Sequence, residues 1–159
     1  MAAAPTTAAP AAASAAACQR GRVTVYADGV FDLFHAGHLE FLRKAKEAGG
    51  PGAFLLVGVI TDEDATWKRA PIVPHGERVA VVSACKLVDG VVERPPIILT
   101  DTFLDSARVD IVVHGDDSLQ EEFFRAAISR GIMRYVPYTS GVSTSEIIAR
   151  VIARYSRTP

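Results

Sequence analysis

Residues 26–38 read Tyr-Ala-Asp-Gly-Val-Phe-Asp-Leu-Phe-His-Ala-Gly-His, and this stretch with its flanks decides the fold. Upstream, Arg-Val-Thr-Val at 22–25 has the β-branched character of a short strand. Downstream, Leu39, Phe41, Leu42 and Ala45 recur at helical spacing, with Arg43, Lys44, Lys46 and Glu47 on the other face. The pattern predicts a strand that runs through a glycine-containing turn into a helix whose first turn carries His35 and His38. A helix start offers unpaired N–H groups and partial positive charge, so it suits phosphate. Two imidazoles three residues apart lie on one side of that turn. Gly37 between them keeps a side chain out of a ligand's way.

The same alternation continues along the chain. Strands are predicted at 54–60, 91–92, 110–115 and 133–136, and helices at 39–48, 76–88 and 119–130. A loop carries Trp67, Lys68 and Arg69, and the proline-rich residues 95–102 read as extended. Ser143 and Glu146 form a capping box for a last helix, whose stripe of Ile147, Ile148, Val151 and Ile152 is expected to dock on the domain. Strands alternating with helices argue for a parallel sheet with helices on both faces. Ligands of such folds sit beyond the carboxyl ends of the strands, at the switch in strand order. The first motif, the turn of His114, Gly115, Asp116 and Asp117, and the loop at Gly141 should therefore converge on one sheet edge.

Composition narrows the class. A length of 159 residues suits one folded domain, expected over 22–157, and a net charge of -1 gives no basic field for nucleic acid or an anionic membrane. The apolar run at 53–60 is too short to cross a bilayer. Residues 1–21 are dominated by Ala, Pro, Thr and Ser, with no acid before Asp28, and read as a disordered leader. A transit peptide is the alternative, weakened by the absence of Arg before Arg20. Cys18 and Cys85 have no metal-ligand spacing, so a reduced, cytoplasmic protein with a buried thiol is expected.

His35 and His38, with Asp32 close by, could be zinc ligands, but no cysteine or third histidine stands in an obvious place. Electrostatic contact with phosphate is the preferred role. Asp32 has two readings, orienting an imidazole or capping the helix. The acids at 116 and 117 suit either a helix cap or a nucleotide or Mg²⁺ contact. Gly141, Val142, Ser143 and Thr144 form a second anion site at a helix start.

Taken together, these residues resemble the cytidylyltransferases of phospholipid synthesis. His-Ala-Gly-His at 35–38 looks like the HxGH signature of the wider nucleotidylyltransferase superfamily, and Gly-Val-Ser-Thr at 141–144 like the second half of the RTEGIST motif. Lys68 lies ten residues before Arg78, as the family's active-site lysine lies before its Glu-Arg pair. The resemblance implies a Rossmann-like α/β domain in which a substrate phosphate attacks the α-phosphorus of CTP with Mg²⁺ assistance. It implies His35, His38 and Lys68 as catalytic residues. Gly29, Val30, Phe31, Asp32, Gly37, His114, Gly115, Asp116 and residues 141–144 would hold the nucleotide. Asp28, Lys68 and Arg78 would meet the second substrate, with Asp28 as counter-charge for an amine. Phosphoethanolamine is favoured over phosphocholine, and a homodimer is implied. The alternatives are a nucleotide-binding module with little turnover, or a related transferase using ATP. Tyr138 and Ser140 depart from the motif, which has Arg and Glu there; Arg134 or Arg69 is the candidate compensating charge.

Overall fold

Every side chain of Phe54–Val59 is buried. A strand buried on both faces must lie inside a sheet with helices on either side. The computed structural model, which describes residues 21–66, 69–116 and 121–156, shows that arrangement. Five strands, β1 (Thr24–Gly29), β2 (Phe54–Val59), β3 (Gly90–Val92), β4 (Ile111–Gly115) and β5 (Met133–Val136), form one sheet in the order β3-β2-β1-β4-β5. All four pairings are parallel, with Val25 opposite both Leu55 and Ile111.

Helices α1 (Ala36–Ala48), α2 (Asp62–Ala65) and α3 (His75–Ser83) follow β1 and β2; α4 (Asp101–Ser106) and α5 (Arg125–Ser129) follow β3 and β4; α6 (Thr144–Tyr155) comes last. Strand alternation divides the core in two. Val25, Ala27, Leu55, Val57 and Val113 meet Leu42 and Ala45 of α1 and Val82 of α3 on one face. Tyr26, Phe54, Leu56 and Val112 meet Leu104 of α4 and Ala127 of α5 on the other. A buried Val or Leu is worth about 1.5–3 kcal/mol over exposure, so packing on the sheet holds helices too short to form alone. The chain leaves β1 for β2 on one side and returns to β4 on the other. The order therefore switches between β1 and β4, and their carboxyl ends, Gly29 and Gly115, open a crevice there.

The expected fold class holds, and four local expectations change. The third helix stops at Ser83 rather than continuing to 88. Residues 101–106 form a helix that the sequence does not predict, capped by the Thr100 hydroxyl accepting from Phe103 N and taking in the last two residues of the segment 95–102 expected to be extended. The helix expected over 119–130 is α5 alone within the described residues, with residues 121–124 in turns. The apolar stripe of α6 docks only in part: Ile147 and Ile148 are half-buried, Val151 and Ile152 are 51% and 56% exposed, and no residue of α6 is fully buried. The reason is occupancy, because α1 already packs across β1, β2, β4 and β5 on its face of the sheet. Cys85 is a free, half-buried thiol. Cys18 and the leader lie outside the described residues.

Candidate active site

The turn from β1 to α1 is held in an unusual backbone. Phe31 and Leu33 both take positive φ, 55° and 47°, which costs a non-glycine residue about 1–2 kcal/mol. Phe31 is 3% exposed in the core, and that burial offsets the strain. Next, His35 caps α1 in extended conformation, its Nδ1 accepting from Gly37 N at 3.1 Å. His38 returns the contact, its Nδ1 accepting from His35 N at 3.4 Å. The two histidines thus make a capping box with imidazoles in place of the usual hydroxyl and carboxylate. A ring that accepts through Nδ1 carries its proton on Nε2 when neutral. Each imidazole therefore keeps an Nε2–H donor for a ligand.

The rings stack with centroids 3.8 Å apart. Burial, and then the neighbouring His35, holds His38 down to about 3. Burial also lowers His35, with Glu146 opposing and Arg150 adding to the effect. At neutral pH both rings are neutral donors, and an incoming polyanion would draw them toward the charged form. Gly37 has a role the sequence did not reveal. A Cβ there would lie 2.9 Å from His35 Cε1 and 3.0 Å from Val142 O, so the glycine makes room for the cap and for the approach of α6.

Two more elements close the site. His114 is the penultimate residue of β4, packed on Phe124 with centroids 4.7 Å apart. At α6, Ser143 Oγ caps the helix by accepting from Glu146 N, and Thr144 Oγ1 donates to Asp32 O at 2.9 Å. Gly141 supplies the turn before it with φ of 85°. The starts of α1 and α6 thereby open on one cavity of about 590 Å³ at the β1/β4 crevice. Of the sequence-predicted residues, Asp28, Gly29, Val30, Phe31, Asp32, His35, Gly37, His38, His114, Gly115, Val142, Ser143 and Thr144 line it. Asp28 stands at the carboxyl end of β1, half-buried, and burial pushes its carboxyl up to about 6, with His114 opposing.

Other expectations change. Asp32 neither orients an imidazole nor caps α1. Its carboxylate accepts from Ile72 N at 3.1 Å and Val73 N at 2.9 Å, pinning the segment before α3. Arg78 is 1% exposed and does not line the cavity. Its guanidinium donates to Val73 O, Ile60 O and Val30 O and pairs with Asp62, so it ties three loops together behind the site. Asp116 is exposed and accepts from Tyr138 N at 2.8 Å, which makes it a loop brace. Arg134 donates to Gly131 O and Met133 O and does not line the cavity. Lys68, Trp67 and Asp117 lie outside the described residues.

Sequence reasoning missed other lining residues. Ile97, Phe123 and Phe124 form apolar wall, and none sits in a motif. Gly58 also stands outside every motif. A Cβ there would lie 2.3 Å from the Tyr26 hydroxyl and 3.1 Å from Asp28 Cβ, so this glycine lets Tyr26 reach Asp28. A lone glycine inside an apolar strand was the available signal.

Residues 26–150 match the family model described as Cytidylyltransferase-like. Among relatives, the ethanolamine-phosphate cytidylyltransferase of Dictyostelium discoideum is 40% identical over 135 residues, covering 82% of this chain and 37% of that protein. The choline-phosphate cytidylyltransferase A of Rattus norvegicus is 38% identical over 143 residues, covering 87% of this chain and 38% of that one. The chain thus spans well under half the length of these relatives. A solved lipopolysaccharide core biosynthesis protein from Thermoplasma volcanium GSS1 superposes with a TM-score of 0.61 at 27% identity, covering 77% of this chain and all of that one.

Proposed function

Since the chain belongs to the cytidylyltransferase-like family, we propose that it transfers a cytidylyl group from CTP to phosphoethanolamine, releasing pyrophosphate. The observation that carries this reading is the meeting, in one cavity, of the half-buried Asp28 carboxylate with two helix starts and two Nε2–H donors. A carboxylate suits an ammonium head group; the helix starts suit phosphates. The acceptor's phosphate oxygen attacks the α-phosphorus, a new P–O bond forms, and the bond to the β-phosphate breaks. His35 and His38 donate to phosphate oxygens as negative charge moves to the leaving diphosphate. Residues 22–157 form the proposed catalytic unit, with Lys68 contacting both reacting phosphates.

Mg²⁺ is part of the proposal, supplying charge neutralisation on the triphosphate when bound. Among the described residues no three His, Cys, Asp or Glu side chains gather as a cage. The carboxylates of Asp32 and Asp116 already accept backbone N–H groups. These residues fit an ion that arrives on the nucleotide's own oxygens.

Phosphocholine is the alternative acceptor, supported by the choline-phosphate relatives. A binding module with little turnover is a second reading, motivated by Tyr138, 50% exposed at the cavity in the motif's arginine position. A homodimer is also proposed, supported by a second groove of about 1160 Å³ beside α1, where Leu39 and Val81 stand 45% and 46% exposed. A cytoplasmic setting is supported by the unpaired Cys85. Among the described residues no helix is long and apolar enough to cross a membrane. The test is incubation with CTP, Mg²⁺ and each phospho-alcohol. Pyrophosphate release with phosphoethanolamine above phosphocholine is expected, and release with neither overturns the reading.

A further inference from the structure

A triphosphate needs cationic partners, and the cavity shows one that the motifs do not assign. Among the described residues lining it, Arg69 is the only lysine or arginine. Its guanidinium is held from two directions, donating to Ser145 Oγ at 3.4 Å in the first turn of α6 and lying 3.7 Å from Asp32 Oδ2. Asp32 is 4% exposed and takes two backbone N–H groups, so it fixes Arg69 from behind while its own charge is shared. Both contacts are long, and the Arg69 side chain is 44% exposed, which leaves donors free for a ligand. The guanidinium therefore stands at the junction of the two helix starts.

Among the described residues, the other candidate arginines are engaged elsewhere. Arg134 donates to carbonyls of its own strand and the turn before it. Arg150 acts on His35 through space, but its Nε donates to Glu146 O within α6 and it does not line the cavity. Tyr138, which takes the position of the motif's arginine, can offer one hydroxyl and no positive charge.

We infer that Arg69 is the guanidinium that binds the phosphates of the nucleotide and leaving diphosphate, standing in for the arginine absent at position 138. This assignment rests on the cytidylyl-transfer reading for its substrate, and on the cavity geometry for its chemistry. A fork of N–H donors reaching from the Asp32 side would complement the Nε2–H donors of His35 and His38.

The test separates phosphate binding from turnover. Titration of inorganic pyrophosphate into the wild-type protein, Arg69→Ala, Arg69→Gln and Arg69→Lys needs no catalysis. The Ala and Gln variants are expected to bind about 10- to 100-fold more weakly, with a shallower salt dependence, and Lys to fall between. With CTP as substrate, kcat/KM should fall by a similar factor while the melting temperature of Arg69→Gln stays near wild type. The double variant Arg69→Ala/Tyr138→Arg should recover most of the loss. Wild-type pyrophosphate affinity in Arg69→Ala and Arg69→Gln overturns the assignment, and so does a wild-type protein that binds no pyrophosphate. A double variant no better than Arg69→Ala overturns the stand-in relation. A wild-type protein that binds pyrophosphate but never turns over CTP defeats the transferase reading instead, leaving Arg69 to be judged by the titration.

Discussion

The hydroxyl of Tyr26 donates to Asp28 Oδ2 at 3.3 Å, between two side chains on the same face of β1. Tyr26 is fully buried, so its hydroxyl cannot turn to water, and burial pushes its own ionisation well above the usual range. The pair delivers a negative charge to the mouth of the cavity from a fixed point. The carboxylate is held in place at a cost in desolvation, which is the usual compromise at a binding site.

That compromise predicts opposite effects on stability and binding. The folded Asp28 titrates near 6, above its ordinary value. Between about pH 4 and 6 the folded state binds the extra proton, so stability contributed by Asp28 falls as pH rises through this window, on the order of 3 kcal/mol. Asp28→Asn should melt higher at pH 7 and lose this slope. The same variant should raise KM for phosphoethanolamine about tenfold or more and leave KM for CTP unchanged. In the wild type, kcat/KM for the amine substrate should fall as pH drops below about 6. A flat profile between pH 5 and 8 would remove Asp28 from substrate recognition.

Gly37→Ala tests the paired-histidine cap. The new Cβ would press on His35 Cε1 and Nδ1 and on Val142 O, all within about 3 Å. His35 must then leave Gly37 N, losing a cap worth about 1 kcal/mol and releasing its tautomer. Activity should fall at least about 100-fold while the far-ultraviolet spectrum stays native. Nitrogen chemical shifts of the His35 ring should move from the Nε2–H form toward a tautomer mixture. Unchanged shifts with full activity would show that the cap does not set the ring.

What the sequence disclosed and what it hid divide by distance along the chain. The fully apolar β2 shows in its own composition, and the His35 and His38 pair and the Ser143 cap have partners within a few residues, so the local sequence reveals them. Asp32 and Arg78 look like site residues from the sequence, but Asp32 binds Ile72, 40 residues away, and Arg78 gathers Val30, Ile60, Asp62 and Val73 from loops up to 48 residues away. One proves to be a brace in the cavity wall and the other a brace behind it. The incomplete docking of α6 is likewise tertiary, since its stripe is apolar but α1 has already covered the sheet. Helix α4 was hidden because six residues after two prolines show too little periodicity to read.

The bracing role of Arg78 predicts a stability loss where a substrate contact would give a binding defect. Removing a buried cation from three backbone carbonyls and Asp62 leaves those carbonyls without a donor. Arg78→Ala should lower the free energy of unfolding by about 3–5 kcal/mol, read from urea denaturation. Arg78→Lys should recover only part of this, because one ammonium cannot reach all the carbonyls the planar fork spans. A stable Arg78→Ala protein with only a raised KM would assign it to the substrate after all.

Gly58 and Tyr26 should be coupled, and a double-mutant cycle can measure it. A methyl at position 58 would sit 2.3 Å from the Tyr26 hydroxyl, closer than any real contact, with Pro95 Cβ at 3.0 Å. Neither the interior strand β2 nor the buried tyrosine can yield, so Gly58→Ala alone should cost about 1–3 kcal/mol by overpacking. Tyr26→Phe removes the hydroxyl that the methyl strikes, at the cost of one hydrogen bond to a carboxylate, about 1.5–3 kcal/mol. If the clash with the hydroxyl dominates, the second substitution made in Gly58→Ala costs much less than it does in the wild type. The double variant should therefore be more stable than the sum of the single losses predicts, by about 1 kcal/mol or more. Additive losses would locate the obstruction at Pro95 instead, and would make Gly58 a determinant of the loop carrying Ile97 rather than of the Tyr26–Asp28 pair.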